Sequence, residues 1–192
     1  MLPLFIAVSL IFSGPLSASD QSDAQQLRER CEAEYKALDV AVKNFGSDKV
    51  RSNYQSAADL LKSAKVKFAQ SKYQEAITLY NQYLKAQQEI YKSLAADYIT
   101  RTETIYNDTA AELVDFLDND KVSQYFKLAN QNIADAKKAM LIENYKLAIE
   151  TSRLSKKYSI DSYKAAGKPV PEKYRKDVKD INKEIDQSDL KK

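Results

Sequence analysis

Tyrosine is the side chain through which this sequence could do most. There are thirteen, against six phenylalanines and no tryptophan. Tyr73, Tyr80, Tyr83, Tyr91, Tyr98 and Tyr106 follow one another along one stretch. Tyrosine joins a large apolar ring to a hydroxyl at little entropic cost, which suits it to protein interfaces. Tyr73, Tyr80, Tyr91 and Tyr98 largely follow an apolar helical seam, and core packing is their default reading. Tyr83 and Tyr106 stand off that seam. The tyrosines expected to line a partner-binding face are drawn from Tyr80, Tyr83, Tyr91, Tyr98 and Tyr106.

Conventional catalytic chemistry is poorly served. The chain has no histidine, so the commonest general base and metal ligand is missing, together with every Ser-His-Asp and Cys-His arrangement. Cys31 is the only cysteine, which rules out an intramolecular disulfide and a multi-cysteine zinc site. It falls within the 3–4 series Leu27, Cys31, Tyr35, Leu38, Val42, Phe45. A small buried apolar residue is therefore its first reading, and a disulfide to a second copy the other. After residue 19 the only glycines are Gly46 and Gly167, too few for a phosphate-cradling loop. Asp118-Asn119-Asp120 has the start of a calcium loop but lacks the following glycine and the closing glutamate, so it reads as a turn and helix cap. Carboxylates are abundant, but a paired-carboxylate hydrolase needs a cleft, and a narrow helical bundle offers none. The expectation is a non-enzyme with no cofactor and no metal.

The elements that position these residues are helices. Once the first fifteen residues are set aside, two prolines and two glycines remain, so breakers are scarce. Val50, Tyr54, Ala57, Leu61, Ala64 and Phe68 are spaced 4-3-4-3-4. Val122, Phe126, Ala129, Ile133, Ala136 and Met140 repeat that spacing 72 positions later. Behind each run comes a short break and a matching restart, Tyr73-Gln-Glu-Ala76-Ile77 and Tyr145-Lys-Leu-Ala148-Ile149. A helix with one apolar seam cannot bury it alone, whereas two packed antiparallel across a short turn can. The sequence thus predicts an all-α fold of elongated antiparallel hairpins, with one unit duplicated at an offset of 72 residues.

The predicted helices cover about 22–45, 48–69, 72–117, 121–142, 145–164 and 172–187. Gly46-Ser47-Asp48 closes the first and caps the second. Gln70-Ser71-Lys72 makes a turn, with Ser71 available as a cap. The Thr-rich stretch from Thr100 to Asn107 weakens helix propensity, so the third helix is either very long or broken near 100–108. Gly167-Lys-Pro169-Val-Pro171 stops the fifth. The expected organisation is a signal peptide over 1–19, an N-terminal helix over 20–46, one hairpin over 47–117, a second over 118–166, and a proline-broken helix with a charged tail over 167–192.

The assignment of 1–19 rests on an uncharged start, an apolar run from Leu2 to Phe12, and small residues through Ser19. The run is short of the 20 or so residues of a membrane-spanning helix. One departure is that no Lys or Arg precedes it. Cleavage is expected after Ser19, giving an exported, periplasmic or extracellular protein with no stable membrane insertion. The net charge is +3, carried by the segment from Lys164 onward with nine positive and six negative residues. Signs are interleaved elsewhere, with no basic stripe for nucleic acid.

The first turn resembles that of a tetratricopeptide repeat over Ala64, Phe68, Ser71-Lys72-Tyr73-Gln74-Glu75-Ala76-Ile77, Tyr80 and Leu84. The second copy keeps Ala136, Met140, Tyr145, Ala148 and Ile149 but has Ser152 in place of Tyr80. The family's turn glycine is Ser71 here and Glu143 in the second copy, its terminating proline is absent, and the third helix exceeds its period. The resemblance covers about a third of the chain and implies protein or peptide binding on a helical surface. A compositional likeness, in Lys, Tyr and Asn, is to spirochaetal periplasmic flagellar filament coat proteins. The expected role is an exported scaffold or adaptor that binds another protein in the cell envelope, with a second copy as a further candidate partner. The alternatives are a periplasmic holdase-type chaperone and a surface adhesin.

Overall fold

The computed structural model describes residues 18–182. Six α-helices account for most of them: α1 (Ala18–Phe45), α2 (Asp48–Ala69), α3 (Tyr73–Glu112), α4 (Asp120–Leu141), α5 (Tyr145–Ala165) and α6 (Arg175–Asn182). Short 3-10 turns occupy Val114–Phe116 and Glu172–Tyr174, and no strand occurs among the described residues. The all-α hairpin architecture is as the periodicity requires. Most of the assigned signal peptide, residues 1–17, and the end of the last predicted helix, residues 183–187, lie outside the described residues.

Local chemistry sets the helix starts. The Ser47 hydroxyl accepts from Val50 N at 3.4 Å. Asn119 Oδ1 accepts from Lys121 N and Val122 N at 3.0 and 3.3 Å, and Asn144 Oδ1 accepts from Leu147 N at 3.3 Å. Each side chain satisfies amides that the first turn leaves without an intrahelical acceptor. Ser71 does not cap α3. It lies in the left-handed region with φ 59°, and the N-cap of α3 is Lys72, which makes no side-chain cap bond.

The helix ends repeat at the same offset as the seams. Ser71 N donates to Phe68 O and Lys72 N to Lys67 O, at 2.9 and 3.0 Å. Seventy-two positions on, Glu143 N donates to Met140 O and Asn144 N to Ala139 O, at 3.2 and 2.9 Å. Both are Schellman endings with one left-handed residue. α5 ends the same way at Gly167, φ 67°.

α3 is one unbroken helix of 40 residues, about 60 Å long. Of the two alternatives, very long or broken near 100–108, the long helix is the one present, and it ends at Glu112 rather than at 117. Two of the threonines in the 100–108 stretch are satisfied: Thr104 Oγ1 donates to Thr100 O at 3.0 Å, and buried Thr102 Oγ1 donates to Ser152 O of α5 at 3.2 Å. Packing against α5 overrides the weak local propensity.

α3 also carries both cores. Cys31, Leu38 and Val42 of α1 meet Val50, Ala57, Leu61 and Ala64 of α2 and the stretch of α3 from Ala76 to Tyr98, with Tyr145, Ala148 and Ile149 of α5 closing the end. The second core joins Ile105 and Leu113 to Val122, Phe126, Ile160, Tyr163 and Tyr174. Equivalent seam residues have equivalent burial: Val50 and Val122, Ala57 and Ala129, Leu61 and Ile133, and Ala64 and Ala136 are all inside.

The copies diverge along one buried face of the second helix of each hairpin. Tyr80, Tyr83, Gln87 and Ile90 of α3 are buried, Gln87 Nε2 donating to Glu34 of α1 at 2.7 Å, whereas the equivalent positions in α5 are Ser152, Ser155, Ser159 and Ser162, every one buried. Ser155 Oγ donates across to Ala129 O of α4 at 2.8 Å. Ser152, Ser159 and Ser162 donate to carbonyls four residues back, at 2.7, 3.1 and 3.0 Å. Small, internally bonded side chains let α5 sit close to its neighbours without an unsatisfied hydroxyl.

Candidate functional site

The tyrosines singled out from the sequence are brought inward. Tyr80, Tyr83, Tyr91 and Tyr98 are all buried, and Tyr106 is half-buried with its ring edge-on to Phe126 at 5.9 Å. The placement of Tyr83 off the seam is corrected: it is fully enclosed. α3 is contacted by α2, α1 and α5, so its buried surface is wider than one stripe. The rings of these four therefore act in packing and offer no open face to a partner. The Tyr80 and Tyr83 hydroxyls are buried without a hydrogen-bond partner. Burial raises the pKa of both phenols.

Cys31 is a buried free thiol whose Sγ approaches Tyr80 O at 3.8 Å. Burial pushes its pKa up to about 11, so it is neutral and a poor nucleophile. A disulfide to a second copy would require α1 to lift away. Asn119 serves as a cap between Asp118 and Asp120, and among the described residues no three His, Cys, Asp or Glu side chains gather to hold a metal.

Three further features stand out. The first is the α4–α5 tip. Leu141 is 83% and Ile142 73% exposed, the most exposed large hydrophobic side chains among the described residues. The first hairpin has Ala69 and Gln70 at the equivalent positions, so the fold does not need large side chains there. Leu147, early in α5, is also exposed. Sequence reading missed this pair because the 3–4 seam ends at Met140. Two large aliphatic residues directly before Glu143-Asn144 were the available signal.

The second is a charged junction where the α1–α2 turn, α3, α5 and α6 converge around a cleft of about 310 Å³. Asp177 of α6 is bracketed by Arg101 of α3, at 2.6 Å from Nη2 and 3.3 Å from Nε, and by Lys156 Nζ of α5 at 3.2 Å. Lys156 is only 3% exposed and also lies 4.7 Å from the centre of the Tyr98 ring. Burial opposes the charged Asp177 carboxylate, but the Arg101 hydrogen bond and the charges of Lys156 and Arg101 outweigh it and hold its pKa below the ordinary value. No sequence signal pairs residues 76 apart. A smaller apolar slot of about 100 Å³ lies between α1 and α5, walled by Val40, Phe45, Tyr91 and Ile149 with Lys146 at its rim.

Among the described residues, no helix is long and apolar enough to cross a membrane. The sequence matches no family model, and no curated protein and no solved structure is significantly similar to it.

Proposed function

We propose that this chain is an exported, non-catalytic helical scaffold or adaptor that binds another protein in the cell envelope, within a filament or other envelope assembly. The observation that carries this reading is the α4–α5 tip: Leu141 and Ile142 stand open at the end of a hairpin whose twin has Ala69 and Gln70 in their place. Apolar area held in water without a folding role is the usual mark of a contact surface. α3 supports the same reading, since one 40-residue helix shared by both hairpins makes a stiff mount for that tip.

The tetratricopeptide resemblance belongs to this proposal. It draws support from Ser71 and Glu143, which take left-handed backbone at the positions where that family carries its turn glycine. Export belongs here too. Among the residues of α1 from Ser19 on, the first buried one is Ala24, so cleavage after Ser19 would leave the buried positions of α1 from Ala24 onward in place.

Cross-linking in intact envelopes followed by mass spectrometry tests the proposal. One stoichiometric protein should be captured by the wild-type chain and lost from a Leu141→Asp, Ile142→Asp double variant. Equal capture by both chains would refute a role for the tip.

The same exposed pair favours a second reading, a holdase-type chaperone, since apolar arm tips are what a holdase would use to grip denatured clients. Suppression of the aggregation of several unrelated denatured proteins, lost in the same double variant, would select it over the scaffold.

A further inference from the structure

Residues 172–178 meet the rest of the protein through a short, self-contained set of side chains. Tyr174 is fully buried against the Tyr163 ring, centroids 6.1 Å apart, and its hydroxyl donates to Asp108 at 3.1 Å. Three residues on, Asp177 enters the bracket of Arg101 and Lys156. Val178 packs against the same core. The Asp108, Arg101, Lys156 and Tyr163 side chains that receive Tyr174 and Asp177 all belong to α3 or α5.

Only residues 166–171 tie the segment to α5. The chain reverses at Gly167, where φ is +67° and an added Cβ would meet nothing within 4 Å. Pro169 and Pro171 then hold it extended, with Pro171 at φ −58° and ψ 143°. Positions 167–169 are exposed. A change of backbone at Gly167 would therefore redirect the whole segment, withdrawing Tyr174 and Val178 from the second core and leaving the first intact.

We propose that the α3/α5 surface around Arg101, Lys156 and Tyr163 is an exchange site: it takes Tyr174 and Asp177 from a second copy of the chain in place of its own, and two chains pair by reciprocal exchange. A second copy is the occupant the site fits, because exchange preserves each ion pair, ring contact and hydrogen bond just described. Monomer and pair then differ only in the link and in concentration. A foreign helix would have to bring an aromatic residue and a carboxylate at the same three-residue spacing. This inference stands apart from the scaffold proposal, since it does not depend on which protein the α4–α5 tip contacts.

The test uses the full-length chain with Lys168 and Pro169 deleted, which leaves the link too short to fold back. Sedimentation equilibrium should show a dimer, and adding Tyr174→Ala and Asp177→Asn to the deletion should return it to monomer. A monomeric deletion variant would overturn the proposal, as would a dimer that persists without Tyr174 and Asp177. A second measurement covers a deletion that fails to fold. A fluorescent peptide of residues 168–192 should bind the full-length Tyr174→Ala, Asp177→Asn chain roughly tenfold or more tightly than the wild type, whose own segment competes. Equal binding to both chains, or binding matched by a scrambled peptide, would overturn it.

Discussion

Ser71 and Glu143 lie 72 residues apart and adopt the same left-handed backbone, φ 59° and φ 57°, at the ends of α2 and α4. Their flanking hydrogen bonds are the same pair in each case. Duplication thus extends beyond the apolar seams to the geometry of the turns, at positions where the side chains themselves have diverged.

Neither residue is suited to that backbone. A side chain in the left-handed region costs about 1–2 kcal/mol, which glycine avoids at some entropic expense. Ser71→Gly and Glu143→Gly should each stabilise the protein by about 0.5–1 kcal/mol. The two sites sit on different hairpins, so the gains should add. Denaturant midpoints of the single and double variants check this, and a lowered midpoint in either single variant contradicts it.

Tyr80 and Tyr83 bury hydroxyls that bond to nothing. Tyr83→Phe should therefore be neutral or stabilising by about 1 kcal/mol, because it removes a desolvated polar group and keeps the ring. Tyr83→Ala should instead cost about 3–5 kcal/mol through the cavity it leaves. Thermal melts of both variants separate a packing role from an interface role, in which the alanine variant would melt like the wild type.

The serine stripe of α5 should tolerate no enlargement. Ser155 is fully buried and spends its hydroxyl on Ala129 O of α4. Ser155→Leu should cost about 1–3 kcal/mol or more by overpacking the α4–α5 contact. Exposed Leu154, next to it in sequence, should accept Asp within about 0.5 kcal/mol. Urea titrations that ranked the two substitutions equally would refute the assigned packing.

Asp177 supplies a pH signature. Its pKa is lowered in the folded state, so its contribution to stability is fully present above the unfolded value, about 3.9, and is lost as pH falls through the lower folded value. Asp177→Asn should therefore be less stable than the wild type by about 2–4 kcal/mol at neutral pH, because Lys156 stays buried beside a neutral amide. The gap should narrow as the pH falls below about 4. Paired denaturation curves from pH 7 to pH 2 test it, and a gap that stayed constant would show that the charge is not responsible.

What the sequence made legible was local. α2 falls where the spacing of Val50, Ala57, Leu61 and Ala64 places it, because a single apolar stripe between two polar breaks leaves one solution. The turns were legible for the same reason. What escaped depended on tertiary neighbours. Tyr83 looked exposed because a one-stripe reading has no place for α1 on a second side of α3. Nothing in a one-stripe pattern marks Ser152, Ser155, Ser159 and Ser162 as buried, yet close helix approach calls for small side chains. The Thr-rich stretch of α3 looked breakable because its Thr102 bond to Ser152 O joins residues 50 apart. The candidate sites were least legible of all. Leu141 and Ile142 have no periodic role, and Arg101 with Asp177 makes a match only in three dimensions.

Because α3 belongs to both cores, neither repeat has a border at which damage could be quarantined. The same rod runs from Tyr80 in one core to Ile105 in the other, so the twin units should share one fate. Calorimetry of the intact chain should record a single endotherm, where two separately tethered hairpins would melt in turn. Repetition here multiplies the parts without yielding a spare.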